Sequence, residues 1–99
     1  MALPGRVGAE QAADQEVQDL VDSIKAEFLE NSGVNAETFV AVSYKTQYIN
    51  GTNYFVKVGL GGGQFAHLKI YEPLPHTGMK PSLCGFLLEK KKEDCIEYF

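Results

Sequence analysis

Cys84, Cys95, His67 and His76 are the residues of this 99-residue chain that could form a nucleophile pair or a metal site. A thiol nucleophile needs a base within hydrogen-bond reach and a loop that exposes it. Neither cysteine has a glycine-rich elbow beside it, and His67 is expected to face outward on a strand whose neighbours Ala66 and Leu68 face in. No two of the four stand at the short spacings that zinc ligands show. The expectation is therefore no catalysis, no metal and no cofactor, with free core cysteine and surface histidine instead. Gly61, Gly62 and Gly63 have the composition of a phosphate-cradling loop, but such loops feed a helix N-terminus and a strand pattern follows here. The triplet reads as a turn. The rings of Tyr44, Tyr48, Tyr54, Phe55, Phe65 and Tyr71 could stack bases only with basic residues interleaved, which they lack, so they read as core or cross-strand pairs.

Composition narrows the partners. A chain of this length builds one core, so residues 1–99 are expected to form a single domain. The formal charge of -4 argues against a phosphate-binding surface, and nucleic acid is excluded as an expected partner. No stretch approaches the length of a membrane helix, and the first residues lack the apolar run of a signal peptide, so the expected location is cytoplasmic. Cysteine usage bears on the same question. If most of the segment between Cys84 and Cys95 is extended, the two lie roughly 30 Å apart at about 3.3 Å per residue, too far for a disulfide unless a tight turn folds them together. Free thiols suit a reducing compartment.

The elements follow from periodicity. Residues 1–12 are small, polar and unpatterned, with Pro4, Gly5 and Gly8 among them, and read as a mobile arm. From Asp14 onward, Val17, Leu20, Val21, Ile24 and Phe28 recur at spacings of three and four, one stripe of a helix. Asp14 is a candidate N-cap, and Asn31, Ser32 and Gly33 supply stop signals. Beyond Ala36 the period is two. Residues 39–49 read as a strand in which Val40, Val42, Tyr44 and Tyr48 alternate with smaller or polar neighbours. Asn50 and Gly51 then favour the positive φ angles of a type I′ hairpin turn. Tyr54, Val56, Val58 and Leu60 alternate again, and the glycine turn leads to a strand over residues 65–71 that Pro73 and Pro75 stop. A last strand spans residues 82–89, Lys90, Lys91 and Lys92 form a solvated run, and Ile96, Tyr98 and Phe99 are apolar enough to dock on the core. The predicted class is α+β: one N-terminal helix packed across an antiparallel sheet of four to five strands.

Successive turns of a meander sit at alternate ends of the sheet. The Asn50, Gly51 turn and the segment Leu74, Pro75, His76 therefore share one end, with Gly61 to Gly63 at the other. The helix enters the meander from that other end, so its N-terminus points back and carries the arm to the shared end. Leu3, Pro4 and Gly5, residues 48–51, and Leu74, Pro75 and His76 thus converge as apolar or backbone-permissive segments at one edge, which suggests a partner surface.

The residues at that edge carry a resemblance. Gln47, Tyr48, Ile49, Asn50 and Gly51 resemble the Gln-x-Val-x-Gly hairpin of cystatins, continued by Thr52, Asn53 and Tyr54 as in stefins. Leu74, Pro75 and His76 are similar to the stefin second hairpin, where secreted cystatins carry Pro-Trp, and Gly5 matches the trunk glycine. The ending Tyr98, Phe99, the lack of a leader and the missing pair of disulfides resemble stefins too. Ile49 departs from the usual valine by one methylene, which keeps the β-branch and adds little volume. Tyr48 occupies a free motif position with a bulky ring. The likeness to the stefin (type 1 cystatin) family covers essentially the whole chain. It implies a reversible, tight-binding inhibitor of papain-like cysteine proteases that fills the active-site cleft as a three-part wedge without offering a scissile bond. Residues 47–51 would sit at the centre, Leu74, Pro75 and His76 on the primed side, and Leu3 and Pro4 on the non-primed side with Gly5 permitting the bend. On this view Gly51→Trp is expected to weaken inhibition strongly with the fold intact. The chain is expected to be a monomer, with a dimer that swaps helix and strand through the Asn50, Gly51 hairpin as a further state. The alternative is a non-inhibitory interaction module on the same scaffold.

Overall fold

The computed structural model describes residues 6–99. Its elements run β1 (Gln11–Ala12), α1 (Gln15–Ser23), α2 (Lys25–Ser32), β2 (Val40–Tyr48), β3 (Thr52–Gly61), β4 (Gln64–Glu72) and β5 (Ser82–Lys90), with a 3-10 turn at Pro75–Thr77. The five strands form one antiparallel sheet in chain order. Both helices pack on one face, so the α+β expectation holds.

The helical stripe is buried as its spacing predicts: Val17, Leu20, Val21, Ile24 and Phe28 all lie in the core. Asp14 caps α1 by accepting from the Val17 N–H at 3.0 Å, and Gly33 closes α2 in the left-handed conformation at φ 70°. The single predicted helix is nevertheless two. Ser23 Oγ donates to the Leu20 carbonyl at 2.6 Å, and the Ile24 N–H bonds Val21 rather than continuing the ladder, with φ of −113° at Ile24. A serine that bonds back to the preceding turn competes with the i−4 bond and bends a helix. The Phe28 N–H returns to the Ile24 carbonyl at 2.9 Å, so the stripe stays in phase across the break.

Ala41, Tyr44, Tyr54, Val56, Val58, Leu60, Ala66, Leu68 and Ile70 face the helices, joined by Leu83, Phe86 and Leu88 of β5. The predicted alternation fails at the start of β2. Ala41 pairs with Val58 and Ser43 with Lys57, leaving Val42 as a bulge; Ala41 therefore takes the core position and Val40 is 53% exposed. Nothing in the composition of residues 40–44 marks an inserted residue, so a strict period of two misplaces both valines.

The opposite face is covered as well. Phe55, Lys57, His67 and Lys69 lie on it, and the C-terminal segment crosses them: Phe55 packs against Tyr98 and Phe99 with ring centroids 5.8 and 5.7 Å apart. Lys57 Nζ donates to the Lys92 carbonyl at 2.5 Å, Lys69 Nζ to a backbone oxygen of Phe99 at 3.1 Å, and Ile96 is fully buried. The terminal apolar residues dock on the sheet face away from the helices. His67 thus points away from the helices, as expected, but is buried at 1% exposure, beside its ladder partner Lys57, which the terminal segment crosses at Lys92. Burial and the ammonium groups of Lys90 and Lys57 lower its pKa to about 4, and its Nε2 has no hydrogen-bond partner among the described residues. The cysteines correct the other half of that expectation. Cys84 and Cys95 are free, as predicted, but exposed rather than core, Cys84 on the outward side of edge strand β5.

The segment expected to be a loose arm is bound over part of its length. Gln11 and Ala12 pair with Tyr44 and Ser43, the Gly8 N–H donates to the Thr46 carbonyl at 2.8 Å, and Val7 bridges Gln47. Residues 7–12 lack any hydrophobic period, but the edge of β2 offers unpaired backbone groups that a small, polar segment can satisfy.

Candidate functional site

The loop between β2 and β3 rests on the two strands that flank it. Tyr48 pairs with Thr52, so the closing loop is residues 49–51, one residue longer than the predicted two-residue turn. Asn50 and Gly51 do take positive φ, 38° and 116°, and the Ile49 N–H donates to the Gly51 carbonyl at 3.0 Å. Tyr48 is 63% and Ile49 41% exposed, apolar surface that the core does not use.

Below the loop, register places Gln47, Asn53 and Tyr71 side by side on the face away from the helices. Asn53 Nδ2 donates to Gln47 Oε1 at 3.0 Å, and both residues are buried. Tyr71, at the end of β4, donates its hydroxyl to the Asn50 carbonyl. A Cβ added at Gly51 would lie 2.6 Å from that hydroxyl oxygen and 2.8 Å from the Glu72 carbonyl. Any side chain at this position therefore shifts the loop, which corrects the expectation that Gly51→Trp spares the fold.

The segment after β4 leaves the sheet at the same end, since Thr52 pairs with Glu72. Leu74 is extended with φ −60° and ψ 142°, the 3-10 turn begins at Pro75, and Thr77 Oγ1 donates to the Leu74 carbonyl at 2.8 Å. Leu74 (38%) and Met79 (68%) are exposed, as are Pro75 and His76. On the other side, the Val7 to Gln47 bridge brings the N-terminal segment to this end. Leu3, Pro4 and Gly5 lie outside the described residues.

Of the predicted site residues, residues 47–51 and 74–76 thus stand at one end of the sheet. Sequence reasoning missed Asn53, Tyr71 and Met79. Counting equally outward from Gly62 pairs Asn53 with Tyr71, so the register was available; the contact to Asn50 was not, because it depends on how the loop curls. Among the described residues no group of three or more His, Cys, Asp or Glu could hold a metal, and no helix is long and apolar enough to cross a membrane. A cleft of about 350 Å³ lined by Val34, Leu60, Phe65 and Leu88 lies beside Gly63, at the opposite end of the sheet from these loops.

Comparison with known proteins agrees with this geometry. The cystatin domain model matches residues 5–93. The chain is 40% identical to Cystatin-B of Paralichthys olivaceus over 88% of its own length and 89% of the relative's. It is 37% identical to Cystatin-A of Mus musculus, covering 98% and 99% of the two chains, and 36% identical to Cystatin-B of Homo sapiens, covering 96% and 97%. A domain model spanning most of the chain and relatives aligned over nearly their full lengths make this protein a member of the cystatin family, on its stefin side, and so of a family of cysteine protease inhibitors rather than enzymes.

Proposed function

We propose that the protein is a reversible, tight-binding inhibitor of papain-like cysteine proteases, of the cathepsin type, that occludes the active-site cleft with a three-part wedge. The observation that carries this reading is the exposure of Tyr48, Ile49 and Leu74 on two backbone-braced loops at one end of the sheet. Gln47, Tyr48, Ile49, Asn50 and Gly51 enter the centre of the cleft, and Leu74, Pro75 and His76 cover its primed side. Leu3, Pro4 and Gly5 extend along the non-primed side. Because the loops are already held by the sheet, docking loses little conformational entropy there, whereas the first residues must be ordered and so tune affinity among targets. Two free, exposed thiols favour action as a monomer in the reducing cytoplasm.

Titration of papain with the purified protein tests the proposal. Stoichiometric, reversible loss of activity with intact inhibitor recovered is the expected result; full activity at equimolar protein would leave only a non-inhibitory interaction module. Removing residues 1–4 is expected to speed dissociation and leave association unchanged.

A further inference from the structure

We propose that Tyr71 is a positioning residue for the first loop, holding residues 49–51 in the shape that enters a protease cleft; this rests on the reading of that loop as the centre of the wedge. Three observations converge on it. Its hydroxyl donates to the carbonyl of Asn50, the middle residue of the loop. Its ring underlies Gly51, where an added Cβ would come within 2.9 Å of Cε1, so the loop backbone lies directly against the ring. Its strand position, opposite Asn53 and two residues before Pro73, places it between the two loops, tied by pairing to the strand that leaves the first and by the chain itself to the second.

The loop needs such a support. Three residues with two positive φ angles have few contacts of their own beyond the Ile49 to Gly51 bond. Without a brace from outside the hairpin, a loop this short can populate other curls, and a partner that recognises one of them binds in proportion to its population. The Tyr71 hydroxyl reaches from a third strand, so it selects one curl of the loop without adding a residue to the contact surface. The same bond couples the loops: any movement of the β4 end that carries Leu74 is felt at Asn50.

Tyr71→Phe isolates the effect, because the ring stays beneath Gly51 and only the hydroxyl is lost. Association with papain followed by stopped flow, urea unfolding, and hydrogen exchange of the Ile49 amide in the free protein are compared with the unsubstituted chain. The expected result is association slower by about 3- to 10-fold, the range that loss of one hydrogen bond spans, with faster Ile49 exchange and a urea midpoint lowered by no more than loss of that one bond accounts for. Unchanged association would overturn the proposal, as would slower association with a matching fall in the urea midpoint and no local change in exchange. Failure of the unsubstituted protein to inhibit papain would instead overturn the reading of the loop on which it rests.

Discussion

Asn53 Nδ2 donates to Gln47 Oε1 at 3.0 Å across the β2 to β3 ladder, a buried side-chain bond immediately below the exposed loop. It joins the two residues that begin and leave the hairpin, so the orientation of Gln47 is set by the sheet. Asn53→Ala removes this bond and is expected to lower stability by about 1 kcal/mol. Inhibition should weaken several-fold more than the stability loss accounts for. Paired urea denaturation and papain titration check both.

Gly51 combines φ 116° with a β4 backbone too close for a Cβ. Gly51→Ala is expected to cost about 1–3 kcal/mol, from strain at that dihedral and displacement of the loop from Glu72. A fall in thermal midpoint together with weaker papain inhibition is the expected pairing. Gly51→Trp should show both effects more strongly, so it cannot serve as a purely steric block of the cleft.

His67 makes stability depend on pH. Its folded pKa, lowered to about 4 by burial and by Lys90 and Lys57, lies below the ordinary value of 6.5, with Asp94 and Glu10 opposing weakly. The neutral form is therefore the folded form. Its contribution is complete above pH 6.5 and is lost as pH falls toward 4, reaching about 2 kcal/mol by pH 5. Unfolding free energies from urea denaturation at pH 7.5 and pH 5 should differ by about that amount, and His67→Gln should flatten the dependence between those values.

The C-terminal cover predicts a separation of stability from function. Deleting Tyr98 and Phe99 uncovers Phe55 and removes the backbone oxygen that Lys69 contacts. The expected cost is about 2–4 kcal/mol, close to that of losing a buried aromatic side chain. The contacts of the two residues are with Phe55 and Lys69, outside residues 47–51 and 74–76, so the inhibition constant of the folded fraction should stay within about twofold of the full chain, a shift below about 0.4 kcal/mol. Calorimetry and titration at a temperature where the truncated chain is folded distinguish the two.

Much of this was legible in the residues. The three-and-four spacing of Val17, Leu20, Val21, Ile24 and Phe28, the Asp14 cap, the Gly33 stop and the alternation of Tyr54, Val56, Val58 and Leu60 specify a helix and strands, because local periodicity is itself the amphipathic surface that must be buried. The order of turns along a meander then brings residues 47–51 and 74–76 to one end, a consequence of connectivity alone.

What escaped is non-local. The bulge at Val42 is chosen by how β2 fits β3 and the helices, the pairing of residues 7–12 by a free strand edge, and the burial of His67 by what packs on its face of the sheet. The hairpin motif likewise carried the identity of the loop residues in the sequence, as Asn50 and Gly51 carry its positive φ angles. Only the tertiary structure decided where that loop leans, since a third strand supplies both the Tyr71 hydroxyl and the Glu72 carbonyl against which it rests.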